Sequence, residues 1–154
     1  MSNDKDFVEA DRLYDEQRYK EAFEVFLRLA RNGDPHSCVR IGEMFYGGKG
    51  VPVDLEQSIV WDLEARRLGE PLGTHNLALT YIRLGKYDLA RQYLEEVCVV
   101  DNGEARLDLA KLLVNQFGDM ESGLRVLNDA LQSKNMSEMT YEEALSLKRT
   151  LIGQ

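Results

Sequence analysis

Four small residues, Ala10, Gly42, Ala78 and Ala110, recur along the chain at intervals of 32, 36 and 32. Bulky residues follow each at three and four positions: Leu13-Tyr14, Phe45-Tyr46, Tyr81-Ile82 and Leu113-Val114. A second set of small residues, Ala22, Ser58, Ala90 and Gly123, recurs at intervals of 36, 32 and 33. Phe26, Leu94 and Leu127 stand four positions after Ala22, Ala90 and Gly123. In the second unit that place is polar, Asp62, and the neighbouring Leu63 is expected to supply the apolar group. A small residue lets two helices approach closely, and bulky residues one turn away fill the groove beside the contact. A period of this length is one pair of helices. A single pair cannot bury its own faces, so the pairs must stack.

Turn chemistry punctuates the same period. Gly33-Asp34-Pro35 ends one helix and starts the next, with Asp34 as N-cap and Pro35 at the first helical position. Gly69-Glu70-Pro71 repeats the device, and Asp101-Asn102-Gly103 does the same job without proline. Gly85-Lys86 and Gly118-Asp119 make tight turns within the third and fourth units. Helices are expected at about 4–16, 19–31, 35–47, 54–68, 71–84, 87–99, 104–116 and 120–133. A last one, about 141–152, opens on Thr140 and Glu143, spaced as a capping box. Its apolar residues recur at helical spacing and suit a cap over the last repeat. The expected fold is all-α: a right-handed α-α superhelix, or solenoid, of four helix-turn-helix repeats plus a C-terminal capping helix. The repeats cover about 4–33, 34–69, 70–102 and 103–134, and the whole of 1–154 is expected to form one domain.

Residues 35–69 resemble a Sel1-like repeat. The matching residues are Ile41-Gly42-Glu43-Met44-Phe45-Tyr46, Gly47-Gly48-Lys49-Gly50-Val51, Asp54, Ser58, Trp61 and Leu68-Gly69. The glycine-rich loop lengthens the turn by four residues: Gly42 to Ser58 is 16 residues, whereas Ala10 to Ala22 and Ala78 to Ala90 are each 12. Units one, three and four resemble the shorter tetratricopeptide form. Tyr19, Ala22 and Phe26 carry the likeness in unit one, and Tyr87, Ala90 and Leu94 carry it in unit three. Unit four departs, with Met120 and Gly123 at the corresponding places. The resemblance covers about residues 7–133. It implies a non-enzymatic adaptor, chaperone or inhibitor that holds a partner on a concave face.

Charge limits the partners. The chain of 154 residues has 27 acidic and 19 basic residues, a formal net charge of −8. That disfavours nucleic acid, whose phosphates need a basic face, and suits a basic protein. The longest purely apolar run, Val97-Cys98-Val99-Val100, is too short to span a membrane. The polar, acidic start lacks a signal-like segment, so a cytoplasmic location is expected. Cys38 and Cys98 are expected to be buried free thiols.

Little in the sequence suggests catalysis. His36 and His75 are the two histidines, and no motif pairs either with a nucleophile. Cys38 is two residues from His36, a spacing that does not present both side chains to one metal from a helix. Gly47-Gly48-Lys49-Gly50 lacks the leading strand, the glycine spacing and the Ser or Thr of a phosphate loop. Glu95-Glu96 and Glu142-Glu143 read as solvated helix faces. The chain is expected to be no enzyme and to need no metal or other cofactor.

In the resembled architecture the first helix of each pair lines the concave side. The repeat spacing projects Phe7, Asp11 and Tyr14 there from unit one, and His36, Val39, Glu43 and Tyr46 from unit two. Unit three supplies Leu72, His75, Leu79 and Ile82, and unit four supplies Glu104, Leu107, Lys111 and Val114. With two histidines on this face, binding is expected to vary between about pH 5 and 7. Two roles fit a small acidic monomer of this kind. One is an immunity protein that neutralises a basic bacterial toxin. The other is a general adaptor or chaperone for a secretion or signalling system.

Overall fold

A computed structural model describes residues 4–100 and 102–153, with Ser2 and Asn3 described by backbone alone. Asp101, expected in the turn before the seventh helix, lies outside the described residues. Among the described residues the chain is all-α. Its helices are α1 (Ser2–Asp15), α2 (Tyr19–Arg31), α3 (Pro35–Gly47), α4 (Leu55–Arg67), α5 (Pro71–Arg83), α6 (Tyr87–Val97), α7 (Gly103–Phe117), α8 (Met120–Leu131) and α9 (Glu138–Ile152). The chain divides into two compact units, Met1–Thr80 and Tyr81–Gln154, with the division inside α5.

Local chemistry sets the helix starts. The Asp34 carboxylate accepts from Ser37 N at 2.7 Å and Pro35 opens α3. Asp54 does the same for α4, accepting from Gln57 N at 3.0 Å. Asn102 accepts from Ala105 N at the head of α7, also at 3.0 Å. Each cap satisfies a backbone donor that the first helical turn leaves open. Before α5, the Glu70 carboxylate reaches forward to Leu72 N at 3.1 Å. The start of α9 differs from expectation. Ser137, not Thr140, caps it and accepts from Thr140 N at 3.2 Å, so the helix gains a turn at its front.

In unit 1, α1 to α4 close around one core. Ala10, Ala22, Phe26, Cys38, Ile41, Met44 and Ala65 are buried in it, with Tyr19, Phe23, Phe45 and Trp61 packed at its edge. The small residues work as the repeat requires. A Cβ on Gly42 would stand 2.5 Å from Asp62 Oδ1, and one on Gly73 would stand 2.6 Å from Ala65 Cβ. The long loop after α3 closes back onto the turn between α1 and α2. Gly50 (φ +75) would carry its Cβ to 2.6 Å from the Tyr19 carbonyl, so glycine is needed there for both conformation and space. Lys49 lies 4.9 Å from the Tyr19 ring centroid, a cation–π contact beside the same turn.

In unit 2, α7 and α8 pack through Gly123, where a Cβ would meet Val114 Cγ2 at 2.5 Å. Leu107, Ala110 and Leu127 form a core with Ala144 of α9. Tyr81 and Tyr93 stack with centroids 5.5 Å apart. Cys38 is buried and Cys98 half-buried, and both are free thiols. Burial pushes each thiol up to about 11. Among the described residues, no helix is long and apolar enough to cross a membrane.

Asp62 differs from expectation. The repeat spacing holds in the second pair: Asp62 itself takes the buried slot and is 0% exposed, like Phe26 in the first pair. Leu63, expected to substitute for it, is exposed.

Candidate functional site

The face of unit 1 carried by α1, α3 and α5 holds most of the side chains projected from the repeat. A groove of about 390 Å³ is lined by Phe7, His36, Val39, Arg40, Glu43 and Leu72. Phe7 is fixed from beneath by an edge contact with Phe26, centroids 5.5 Å apart, and meets the His36 ring at 6.2 Å. His36 Nδ1 lies 3.0 Å from Glu70 Oε2. Through the groove runs an ion-pair chain that the sequence reading missed. Arg40 reaches Asp11 at 3.0 Å and Glu43 at 3.3 Å, and its guanidinium lies 5.7 Å from the Tyr14 ring centroid. One cation therefore ties three of the projected residues, Asp11, Tyr14 and Glu43, into one patch.

Glu43 also belongs to a second, smaller cavity of about 230 Å³. Tyr46 and Leu79 give it apolar walls, and Ser58, Asp62, Asn76 and Thr80 give it a polar side. Ser58 Oγ donates to Asp62 Oδ2 at 3.3 Å. Asp62 Oδ1, Asn76 Nδ2 and Thr80 Oγ1 are buried without a hydrogen-bond partner, an arrangement that native proteins use sparingly. Burial pushes the Asp62 carboxyl up to about 8. The nearby Asn76 and Ser58 dipoles pull it down by less, and Glu43 raises it further. At neutral pH much of this carboxyl therefore carries its proton.

Three projected residues are not on the surface. Val39 (3% exposed) is a core residue that only walls the groove, and His75 (6%) and Leu107 (2%) are buried. They occupy the same repeat position, three residues before Gly42, Ala78 and Ala110. In these three units that position turns inward because it packs beside the small-residue contact, whereas Phe7, at the same place in unit one, stays half-buried. The next residue faces outward in its place: Arg40, Asn76 and Asp108 are each half-exposed. With His75 buried, His36 is the histidine left at the surface, and a two-histidine pH response loses its basis.

The unit 2 residues behave differently. Ile82 is half-buried in α5 beyond the unit 1 boundary. The α7 face is engaged by α9: Lys111 Nζ lies 2.7 Å from Glu143 Oε1, Thr140 Oγ1 donates to Glu104 at 3.5 Å, and Leu107 packs with Ala144. Glu104, Leu107 and Lys111 thus contact the capping helix. α9 was expected to cover the last repeat, and it does so on this side. Repeat spacing would have suggested Arg40 and Asn76 had the projection moved one residue. Asp62 had a plainer signal, a charge in an apolar column.

Paired helices with small-residue seams and an open, side-chain-lined groove define a helical-repeat scaffold. The fold is that of Sel1-like and tetratricopeptide-like repeats. A sequence model described as Tetratricopeptide repeat matches residues 75–102. The fold is similar to that of a Sel1 repeat protein from Oxalobacter formigenes, with a TM-score of 0.73 and 20% identity. That match covers 96% of this chain and 62% of that one, so the chain spans less than two thirds of its relative. It is also similar to c5321, a protective antigen present in uropathogenic Escherichia coli strains that displays an SLR fold. There the TM-score is 0.66 and the identity 16%, over 88% of this chain and 34% of that one. MamA AMB-1 gives a TM-score of 0.65 at 20% identity, over 98% and 87% of the two chains. No curated protein sequence matches the chain. Repeats of this type are protein–protein interaction modules and typically non-catalytic scaffolds.

Proposed function

We propose that the chain is a non-enzymatic binding module that holds a basic partner protein in the unit 1 groove. The observation that carries the reading is the patch itself. Phe7 and Leu72 offer apolar contact beside the Asp11–Arg40–Glu43 chain, in an open groove. Apolar anchors within a charged surround are the usual make-up of a protein-binding surface. Charge supports the sign of the partner. Asp11 and Glu43 stand around a single guanidinium, Glu70 stands beside His36, and the whole chain carries −8. A field of that sign speeds encounter with a basic protein. The sharper version is an inhibitor, or immunity protein, for a basic toxin, supported by the same acidity and by the small repeat scaffold.

The test is capture of partners by the tagged chain from a lysate of its source organism, with mass spectrometry. The comparison set is Leu72→Lys and Glu43→Lys in the groove, and Val60→Lys on the exposed side of α4. A basic protein retained by wild type and by Val60→Lys, but lost by both groove variants, is expected. Equal retention by all four chains would remove the groove from the reading. A captured toxin whose activity the chain suppresses would establish the inhibitor version.

A further inference from the structure

The slot four residues after the second small residue is filled by Phe26 in the first pair, Leu94 in the third and Leu127 in the fourth, each buried. Asp62 alone breaks this column. A carboxyl in a slot built for a hydrophobic side chain is costly unless something compensates it. Within the fold the compensation is incomplete. Ser58 serves Oδ2 and Asn76 stands close enough to steady the carboxylate, but no donor meets Oδ1 in hydrogen-bond geometry, and Asn76 Nδ2 and Thr80 Oγ1 in the same cavity are likewise left open. The cavity has room for one long side chain. Its walls, Tyr46 and Leu79, are apolar, and Glu43 joins it to the groove described above.

We propose that this cavity is a specificity pocket for one lysine or arginine side chain of the partner, with the stem against Tyr46 and Leu79 and the cation directed to Asp62 and Glu43. The inference rests on the groove reading and extends it, because the side chain would project from a segment lying in that groove. A long basic side chain is apolar along its stem and charged at its tip, which is the order of chemistry found from wall to floor. The unpaired Oδ1 would gain a charged donor. A carboxylate buried alone is unfavourable, whereas one paired with a hydrogen-bonded cation is not.

Binding is then linked to a proton. The groups around the Asp62 carboxyl are Glu43, Tyr46 and Cys38 on α3, Ser58 on its own helix, and Asn76 and Thr80 on α5. With the pocket empty the carboxyl titrates near pH 8. An entering cation requires the ionised form, so binding below that pH releases a proton, and affinity rises as pH rises.

The test uses the full chain labelled with ¹⁵N and three capped amino acids as probes: N-acetyl-lysine methylamide, its arginine analogue and its norleucine analogue. Titrations followed by amide shifts at pH 6 and pH 9 read the pocket without any protein partner. Saturable shifts at Glu43, Asn76 and Thr80 are expected with the two cationic probes. Affinity should be at least about tenfold higher at pH 9 than at pH 6, and about tenfold weaker with norleucine. Asp62→Asn should keep the spectrum of a folded chain and lose the cation preference. A second variant, Asp62→Leu, returns the slot to the apolar type of the other pairs and should fold while binding neither cation. The proposal is overturned if no probe gives saturable shifts, if norleucine binds as well as lysine, or if Asp62→Asn retains the preference. Failure of the groove reading would show in the capture variants and leave these titrations untouched.

Discussion

The α1–α2 and α3–α4 pairs are two copies of one design, and they solve the same slot in opposite ways. In the first, Phe26 fills the space beneath Phe7 and the connection is a tight turn through Gln17, whose φ is 61. In the second, Asp62 sits in the equivalent place, and the connection is a long loop through Gly48 and Gly50. The first pair spends its slot on stability. The second gives up that stabilisation and leaves a cavity with unpaired polar atoms at the edge of a groove. The contrast separates what the repeat needs to fold from what one copy carries beyond folding. Seams of small residues are common to both pairs, and the departure is confined to one column.

The largest effect should come from exchanging the chemistry of the slot in the wrong copy. Phe26→Asp places a carboxyl where Ala22 stands in place of Ser58 and Arg40, the counterpart of Asn76, is already engaged by Asp11 and Glu43, and a loss of at least about 4 kcal/mol is expected. Phe26→Ala should lose about 3–5 kcal/mol through the cavity it leaves. Chemical denaturation of the full chain measures both. Next comes the loop. Gly50→Ala meets both a positive φ and the Tyr19 backbone, and should lose about 2–3 kcal/mol. Gly69→Ala has a similar φ of +86 with nothing near its Cβ, and should lose only about 1 kcal/mol. Equal losses at the two sites would break the claim that the loop is seated on the preceding turn.

A smaller effect sharpens the comparison from the other side. Asp62→Leu should stabilise the chain by about 1 kcal/mol at pH 8, as replacement of a buried charge by an apolar group often does. The pH profile carries the sign. Asp62 titrates near 3.8 when unfolded and near 8 when folded, so the folded chain binds more protons between those values. Its contribution to stability is full below about pH 4, declines as pH rises, and is gone above about 8. Thermal midpoints measured from pH 5 to 8 should fall in wild type and fall less steeply in Asp62→Asn. The smallest effect belongs to the exposed Glu64–Arg67 pair on α4, at 2.6 Å. The guanidinium holds Glu64 below the usual carboxylate range, but water screens such a pair. Glu64→Gln should leave the midpoint unchanged within error.

The helices and their seams were legible in the sequence because they rest on local chemistry. Caps at Asp34 and Asn102 and small residues at fixed intervals act over one or two turns, and α3 to α5 start within a residue of their expected places. The groove was legible only in part. Val39, His75 and Leu107 face inward because each lies three residues before a small seam residue, on the same helix face. Arg40 and Asn76 took the outward place. The engagement of Glu104 and Lys111 by α9 depends on where a separate helix docks, which repeat spacing does not encode. Asp62 was masked by its neighbour: Leu63 offered an apolar side chain one residue away, and hydropathy favoured it over the position that the period assigned.

The groove assignment is tested most directly by hydrogen–deuterium exchange of the full chain with and without its captured partner. The account predicts slowed exchange in α1, in α3 and over residues 71–80, with α4 and α7 unchanged. Protection confined to α4, or to α7 and α8, would contradict it.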